Sequence, residues 1–233
     1  MTKIFFVLCS LIVCSAVMAA ESSLYNFSWL DKDKEIYVLQ NRKFRKDGQV
    51  YIGGNLGKTI SGAFINAYGA SLRGGYFFRE DWGIELVYGK GTGGENTTAK
   101  GVREQGTVPF YRKVDTFTGG MLMWSPFYSK INTFNKIFYY DWLFGVGAAS
   151  INTKDNRRRF DDQSDSSLTS ESTMGLLWTT GMRFYISQSW SVRLDFTGLN
   201  WRAKRFSKRG STKVDKEDYF SNYDFAVGLN YAF

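Results

Sequence analysis

Apolar and polar residues alternate strictly along the C-terminal stretch, residues 219–233. The odd positions hold Tyr223, Phe225, Val227, Leu229, Tyr231 and Phe233, and the even positions between them are small or polar. A period of two predicts a β-strand with two chemically different faces. The stretch is also long enough to cross a lipid bilayer at the tilt of a barrel strand.

The same alternation predicts seven further strands upstream. They cover residues 48–60, 64–79, 82–91, 112–125, 138–149, 173–187 and 190–201. The facing of the fourth strand stays open, because Met121 and Met123 compete with Leu122 and Trp124 for the lipid side. Long polar connections follow the third, fifth and seventh strands, and shorter ones follow the second, fourth and sixth; the connection after the first strand is the exception, because it is short as well. This asymmetry is typical of outer-membrane barrels, which have short periplasmic turns and long external loops.

The face that carries fewer apolar side chains is built from small residues. Its glycines are Gly53, Gly57, Gly69, Gly75, Gly145, Gly147, Gly175, Gly181 and Gly228. A soluble barrel would turn its apolar face inward, but a water-facing strand surface would favour larger polar residues, since glycine weakens a strand unless space is short. We therefore expect a crowded interior and an apolar face toward lipid. Aromatic residues at the strand ends, including Tyr68, Tyr88 and Trp201 on the loop side, are predicted to lie at the membrane interfaces.

A few large charged residues share the small-residue face. They are Arg73, Glu85, Asp141, Arg183, Arg193, Asp195 and Asp224. Both signs are present, and buried charges must be paired. Eight strands enclose a lumen that side chains alone can fill, so we predict that these residues form a network that closes it. A gated ion path is the alternative interpretation.

Residues 1–20 have the composition of a secretory signal peptide, with one lysine, an apolar run and small residues before the predicted cut after Ala19 or Ala20. The predicted organisation is therefore a signal peptide over 1–20, a periplasmic lead-in over 21–47 and a barrel over 48–233. Both cysteines, Cys9 and Cys14, lie in the signal segment, so the mature chain offers no disulfide and no thiolate metal site.

The chain contains no histidine, which removes the usual general base and the commonest transition-metal ligand. We predict no enzymatic activity, no metal and no cofactor. The formal net charge is +8, but export from the cytoplasm makes nucleic acid an unsuitable partner.

A basic stretch connects the seventh and eighth strands, and it is predicted to be a loop over residues 202–218. It carries Arg202, Lys204, Arg205, Lys208 and Arg209. On the external face these residues are predicted to meet lipopolysaccharide phosphates; the alternative is a solvated charged loop.

Three segments and a lead-in carry a family resemblance: YFFREDWGIELVYG (76–89), WSPFYSK (124–130), FYYDWLFGVGAA (138–149) and IYVLQNRKFRKDGQVYIGG (36–54). The chain resembles the small OmpA-like outer-membrane β-barrels, and these segments look like the outer-membrane β-barrel domain family of predatory and gliding delta-proteobacteria. The resemblance implies no catalytic residues. It does imply that Tyr231 and the terminal Phe233 form the signal read by the barrel assembly machinery. One related group is porin-like, forms oligomeric rings and encloses lipid.

These patterns together predict an all-β protein, an eight-stranded antiparallel transmembrane up-and-down β-barrel, integral to the bacterial outer membrane. The predicted role is structural or surface display, with outer-membrane lipids and lipopolysaccharide as partners. The alternatives are a porin-like homo-oligomeric assembly that encloses lipid and a small gated channel.

Overall fold

The computed structural model describes residues 42–134, 136–160, 167–209 and 212–233, and for residues 205–209 and 212–216 it describes the backbone alone. The predicted signal peptide, with Ala19 and Ala20, and most of the lead-in lie outside these residues. Their interpretation therefore stays a prediction.

The described chain is built mainly from nine strands, with one α-helix and one short 3-10 helix. The strands are β1 (Val50–Thr59), β2 (Ile65–Phe77), β3 (Trp82–Glu95), β4 (Arg112–Trp124), β5 (Tyr128–Thr133), β6 (Lys136–Asp155), β7 (Thr169–Tyr185), β8 (Trp190–Arg209) and β9 (Thr212–Ala232). Helix α1 (Thr97–Glu104) follows β3, and the 3-10 helix (Arg157–Phe160) follows β6.

Eight of the nine strands close into an antiparallel barrel. Consecutive strands pair from β1 to β4 and from β6 to β9, β4 pairs with β6, and β9 pairs with β1. The predicted eight-stranded antiparallel barrel is confirmed. Strand β5 is an addition that pairs only with the first residues of β6. The sequence pattern predicts a linker here and not a strand, because the alternation over six residues paired on one side is too short to recognise.

The facing of the strands follows the period of two. Leu56 and Leu86 are 72% and 70% exposed, whereas Glu85, next to Leu86, is buried. An outer wall of this kind is costly in water, at about 25 cal/mol per Å² of apolar surface, and is favourable against acyl chains. On β4, Met121 and Met123 point inward and are buried, which settles the facing that the sequence left open.

The long connections are shorter than predicted, because the strands continue past the apolar band. Strand β3 extends to Glu95 before α1, and β8 and β9 pair from Trp190 to Arg209, so most of the predicted basic loop is a hairpin. Both faces of a strand are polar once it leaves the lipid, so the alternation that marks a strand disappears there.

Trp201 corrects a second prediction. It was expected at the lipid interface, but it is only 5% exposed and packs in the interior against Phe220. The odd positions of β8 from Ser191 to Ala203, which include Arg193 and Asp195, face inward, and Trp201 follows the same alternation.

The interior is also more apolar than predicted. Fully buried side chains pack there beside the charged ones, among them Phe77, Met123, Leu143, Ile151, Leu177 and Leu199. The lumen is therefore a packed core that holds the charged residues at fixed heights.

Candidate functional site

Glu85 on β3 lies at the centre of the interior and is buried. Arg73 Nη1 donates to its Oε1 at 2.8 Å, and Arg193 donates through Nη1 to Oε2 and through Nη2 to Oε1. The hydroxyl of Tyr51 donates to Oε2 as well. The carboxylate is thus held by two guanidinium groups and a phenol, which fixes its charge and its position.

Asp195 completes the centre of this network from β8. It accepts from Arg193 Nε at 2.7 Å and from Asn55 Nδ2 at 2.6 Å, and Arg73 Nε lies 3.7 Å from its Oδ2. Two arginines therefore face two carboxylates, and the centre carries no net charge. We name Arg73, Glu85, Arg193 and Asp195 the central charge cluster. It spans the barrel from β2 and β3 to β8.

Glycine makes room for this arrangement at one close approach. A Cβ on Gly75 would lie 2.5 Å from the ring and hydroxyl of Tyr51. Position 75 therefore has to be small so that the Tyr51 ring can lie across the lumen and reach Glu85.

A second charged group seals the mouth on the side of the short turns. The ammonium of Lys46 donates to Asp141 Oδ2 and to Ser125 Oγ, both at 2.6 Å, and the Tyr185 hydroxyl donates to the same Asp141 oxygen at 2.6 Å. Burial lowers the pKa of Lys46, and Asp141 opposes this shift. The ring of Phe44 stacks on Tyr185 with centroids 4.6 Å apart, so residues 42–49 fold into the mouth as a plug.

Arg183 and Asp224 also lie in the interior, but they belong neither to the central charge cluster nor to the group around Lys46 and Asp141. Arg183 is 1% exposed and its guanidinium lies 4.4 Å from the Tyr51 ring centroid, but its Nε and Nη2 have no hydrogen-bond partner among the described residues. Asp224 accepts from Thr59 at 2.6 Å and from Asn222 at 2.9 Å. Of the seven predicted lumen residues, four therefore meet in the central charge cluster and Asp141 meets Lys46.

A cavity of about 40 Å³ lies above the central charge cluster, between Asn55, Arg73, Thr197 and Asp224. A buried water needs roughly 10–15 Å³ of such space. The cavity therefore has room for a few water molecules.

The outer end of the barrel carries a third charged group. Arg112 lies 3.1 Å from Asp155 and 2.9 Å from Glu171, and Arg157 reaches the same two carboxylates at 2.6 and 2.7 Å. The guanidinium of Arg112 also lies 4.9 Å from the ring centroid of Phe220. This group has no signal in the sequence pattern, because a register shift between Val114 and Thr116 turns Arg112 inward, against the alternation of the rest of β4.

The predicted basic residues lie on the β8–β9 hairpin. Arg202 and Lys204 are exposed, and the Arg202 guanidinium packs 4.5 Å from the ring centroid of Tyr219 and donates to its hydroxyl. Only the backbone of Arg205, Lys208 and Arg209 is described, within β8.

The predicted assembly residues lie beside Trp190 at the edge of the outer wall. The rings of Tyr231 and Trp190 meet edge to face, as do those of Tyr231 and Phe233, and Phe233 is 76% exposed. The backbone N–H of Phe233 donates to the carbonyl of Val50, which joins the end of the chain to β1.

Within the described ranges, no group of three or more carboxylates, cysteines or histidines has the arrangement of a metal site. No helix in the described part of the chain is long and apolar enough to cross a membrane. The described side chains thus offer a packed, charge-braced interior and an apolar outer wall.

A closed antiparallel barrel with an apolar wall and a charged, filled interior defines an integral outer-membrane barrel protein. The family model of the outer membrane protein beta-barrel domain matches residues 36–233, and the chain belongs to this family. It is integral to the bacterial outer membrane, as predicted. No curated protein matches the chain.

Solved structures similar to this chain include three small barrels. The N-terminal β-barrel domain of OprF from Pseudomonas aeruginosa is 12% identical, with 80% of this chain and 98% of that chain covered and a TM-score of 0.46. OprG from the same organism is 14% identical, with 82% and 98% covered and a TM-score of 0.47. Ail of Yersinia pestis is 16% identical, with 80% and 99% covered and a TM-score of 0.38.

Proposed function

We propose that this protein is a non-conducting structural barrel that presents its outer hairpins at the cell surface. The central charge cluster carries this proposal, because four buried charged side chains and Tyr51 cross the lumen at one height. The proposal includes no catalytic role, in keeping with a sequence that lacks histidine.

Two further seals support a closed interior. The plug with Lys46 fills the mouth on the turn side, and Arg112, Asp155 and Phe220 meet inside the outer end. An ion that crossed the barrel would have to break three groups of buried ion pairs, each of which is costly to separate.

The display part of the proposal depends on the length of β8 and β9. Twenty residues at about 3.3 Å each, tilted by roughly 40°, rise about 50 Å, which is twice the apolar band of roughly 25 Å. The hairpin therefore projects beyond the lipid with Arg202 and Lys204 exposed on it. We propose that these basic residues contact lipopolysaccharide phosphates.

Conductance in planar bilayers tests the closed interior. We expect no steady current from the wild type and rare, brief openings from the Arg73→Ala/Arg193→Ala variant, in which an ion still has to break the seals at the two ends. Arg202→Ala with Lys204→Ala, which removes the same number of charges outside the lumen, is the matched control and should stay silent. A large steady current from the wild type would contradict the proposal and favour a channel.

The mass of the protein in mild detergent tests the oligomeric alternative. We expect a monomer. A stable ring that retains lipid would instead favour the porin-like assembly, in which one barrel wall is a protein contact.

A further inference from the structure

The outer wall of β1, β2 and β3 carries an apolar groove. Two small outward-facing residues, Gly54 and Ala70, form its floor, and Leu56, Leu72 and Tyr88 form its walls. Its volume of about 460 Å³ lies within the roughly 300–1,000 Å³ of small-molecule sites. The groove continues toward Tyr68 at the end of β2 where the long hairpins begin.

The strand register produces this recess. Ala70 pairs with Leu56 on one side and with Lys90 on the other, and Leu72 pairs with Gly54 and Tyr88. The small Ala70 therefore lies between Leu56 and Lys90, and the small Gly54 lies beside Leu72, which leaves a recess in the wall between the large side chains.

Two lysines lie at the outer end of the groove. Lys90 lines it, and its ammonium makes no hydrogen bond or ion pair with any described residue. The Lys58 ammonium lies 5.8 Å from the ring centroid of Tyr68. Both side chains are exposed on the outer wall. They lie on β1 and β3 with β2 between them, which separates their backbones by about 10 Å.

The position of the lysines in the membrane indicates the chemistry of the ligand. The connection after residue 59 is at the same end as the connections after β3, β6 and β8, which is the extracellular end because the turns at the other end are short. Lysine at a membrane surface attracts anionic headgroups, and an apolar groove below it suits an acyl chain.

We propose that this groove binds one molecule of the phosphorylated glycolipid of the outer leaflet, lipopolysaccharide. An acyl chain lies against Gly54 and Ala70, and a headgroup phosphate lies between Lys58 and Lys90. This site is on the barrel wall, so it depends neither on the closed lumen nor on the β8–β9 hairpin.

Native mass spectrometry of the full mature chain, titrated with lipid A in mild detergent, tests the proposal. The double variant Lys58→Gln/Lys90→Gln should lower the affinity for lipid A about thirtyfold, since each lysine near an anionic lipid contributes a factor of about five and the two factors multiply. Ala70→Phe should fill the groove and lower the affinity at least tenfold.

Matched controls separate the groove from general effects of charge and size. Lys130→Gln/Lys136→Gln makes the same charge change at the periplasmic end, and Ala148→Phe makes the same size change at an outward position on β6. Both should bind lipid A like the wild type. Lipid A without phosphate should bind the wild type as weakly as phosphorylated lipid A binds the double lysine variant.

Two outcomes would overturn the proposal. One is equal binding of lipid A by wild type, groove variants and controls. The other is a dimer of the wild type that Ala70→Phe dissociates without any change in lipid binding, because a second copy would then occupy the groove.

Discussion

The Glu85→Gln substitution tests the central charge cluster most directly. Glu85 is 1% exposed and accepts hydrogen bonds from Arg73, Arg193 and Tyr51. The amide keeps the shape of the side chain but removes its charge. Arg73 and Arg193 would then share Asp195 alone, and the cluster would carry one uncompensated positive charge in a buried environment.

The expected loss follows from this charge count. Removing one partner of a buried ion pair costs about 3–5 kcal/mol. Natural proteins have unfolding free energies of about 5–15 kcal/mol, so the variant should lose a large part of its stability. Adding Arg73→Met restores neutrality and leaves Arg193 with Asp195 at 2.7 Å. The double variant should therefore lose less than the sum of the two single losses.

Urea-induced unfolding of the barrel in lipid vesicles, followed by tryptophan fluorescence and far-UV circular dichroism, measures these losses. Asp115→Asn is the matched control, because it breaks the partly exposed pair with Lys154 and should cost no more than about 1 kcal/mol. A loss for Glu85→Gln as small as that of the control would refute the reasoning, as would additive losses in the double variant.

Three further predictions concern packing, orientation and pH. Gly147→Ala places a Cβ 2.0 Å from a backbone oxygen of the adjacent strand and should lower the free energy of unfolding by about 1–3 kcal/mol in the same assay. Gly94→Ala, which has open space around the added Cβ, is the control and should have little effect. Equal losses for the two variants would contradict the close packing at Gly147. Lipid-borne quenchers should reduce the fluorescence of a variant whose only tryptophan is Trp124, and they should not affect a variant whose only tryptophan is Trp201. Quenching of Trp201 would place this residue on the outer wall. Burial lowers the pKa of Lys46 from 10.5, so the unfolded chain binds this proton more tightly than the folded chain. The free energy of unfolding of the wild type, relative to that of Lys46→Met, should therefore rise with pH between the lowered pKa and 10.5. Parallel pH profiles of the two proteins would refute this.

The sequence predicted the fold wherever the two faces of a strand meet different surroundings. Lipid on one side and a crowded interior on the other select different residues, so the alternation around Leu56 and Leu86 identifies both the strand and its facing. The same logic failed for β5 and for the hairpin past Trp201, because paired strands with water on both sides have no chemical reason to alternate.

The interior could be predicted only in part, because charge and parity do not determine partners. The alternation along the strands predicts that Arg73, Glu85, Arg193 and Asp195 face the interior. Their positions along the barrel axis, however, depend on the stagger between strands, which cannot be read from a residue pattern. Lys46 belongs to no strand, so its role in the mouth had no periodic signal. Arg112 faces inward only because a bulge changes the parity of β4.

The separation of charges along the chain constrains how this barrel is completed. Glu85 and Arg193 are 108 residues apart, so an insertion intermediate that has β2 and β3 but lacks β8 contains the Arg73–Glu85 pair without the Arg193–Asp195 pair that packs against it. The docking of β8 and of β9, which pairs with β1, brings these two pairs together and ties the sheet into a ring. Ring closure and completion of the central charge cluster are therefore coupled, and a partly inserted chain lacks the ion pairs that join β2 and β3 to β8 until its final two strands arrive.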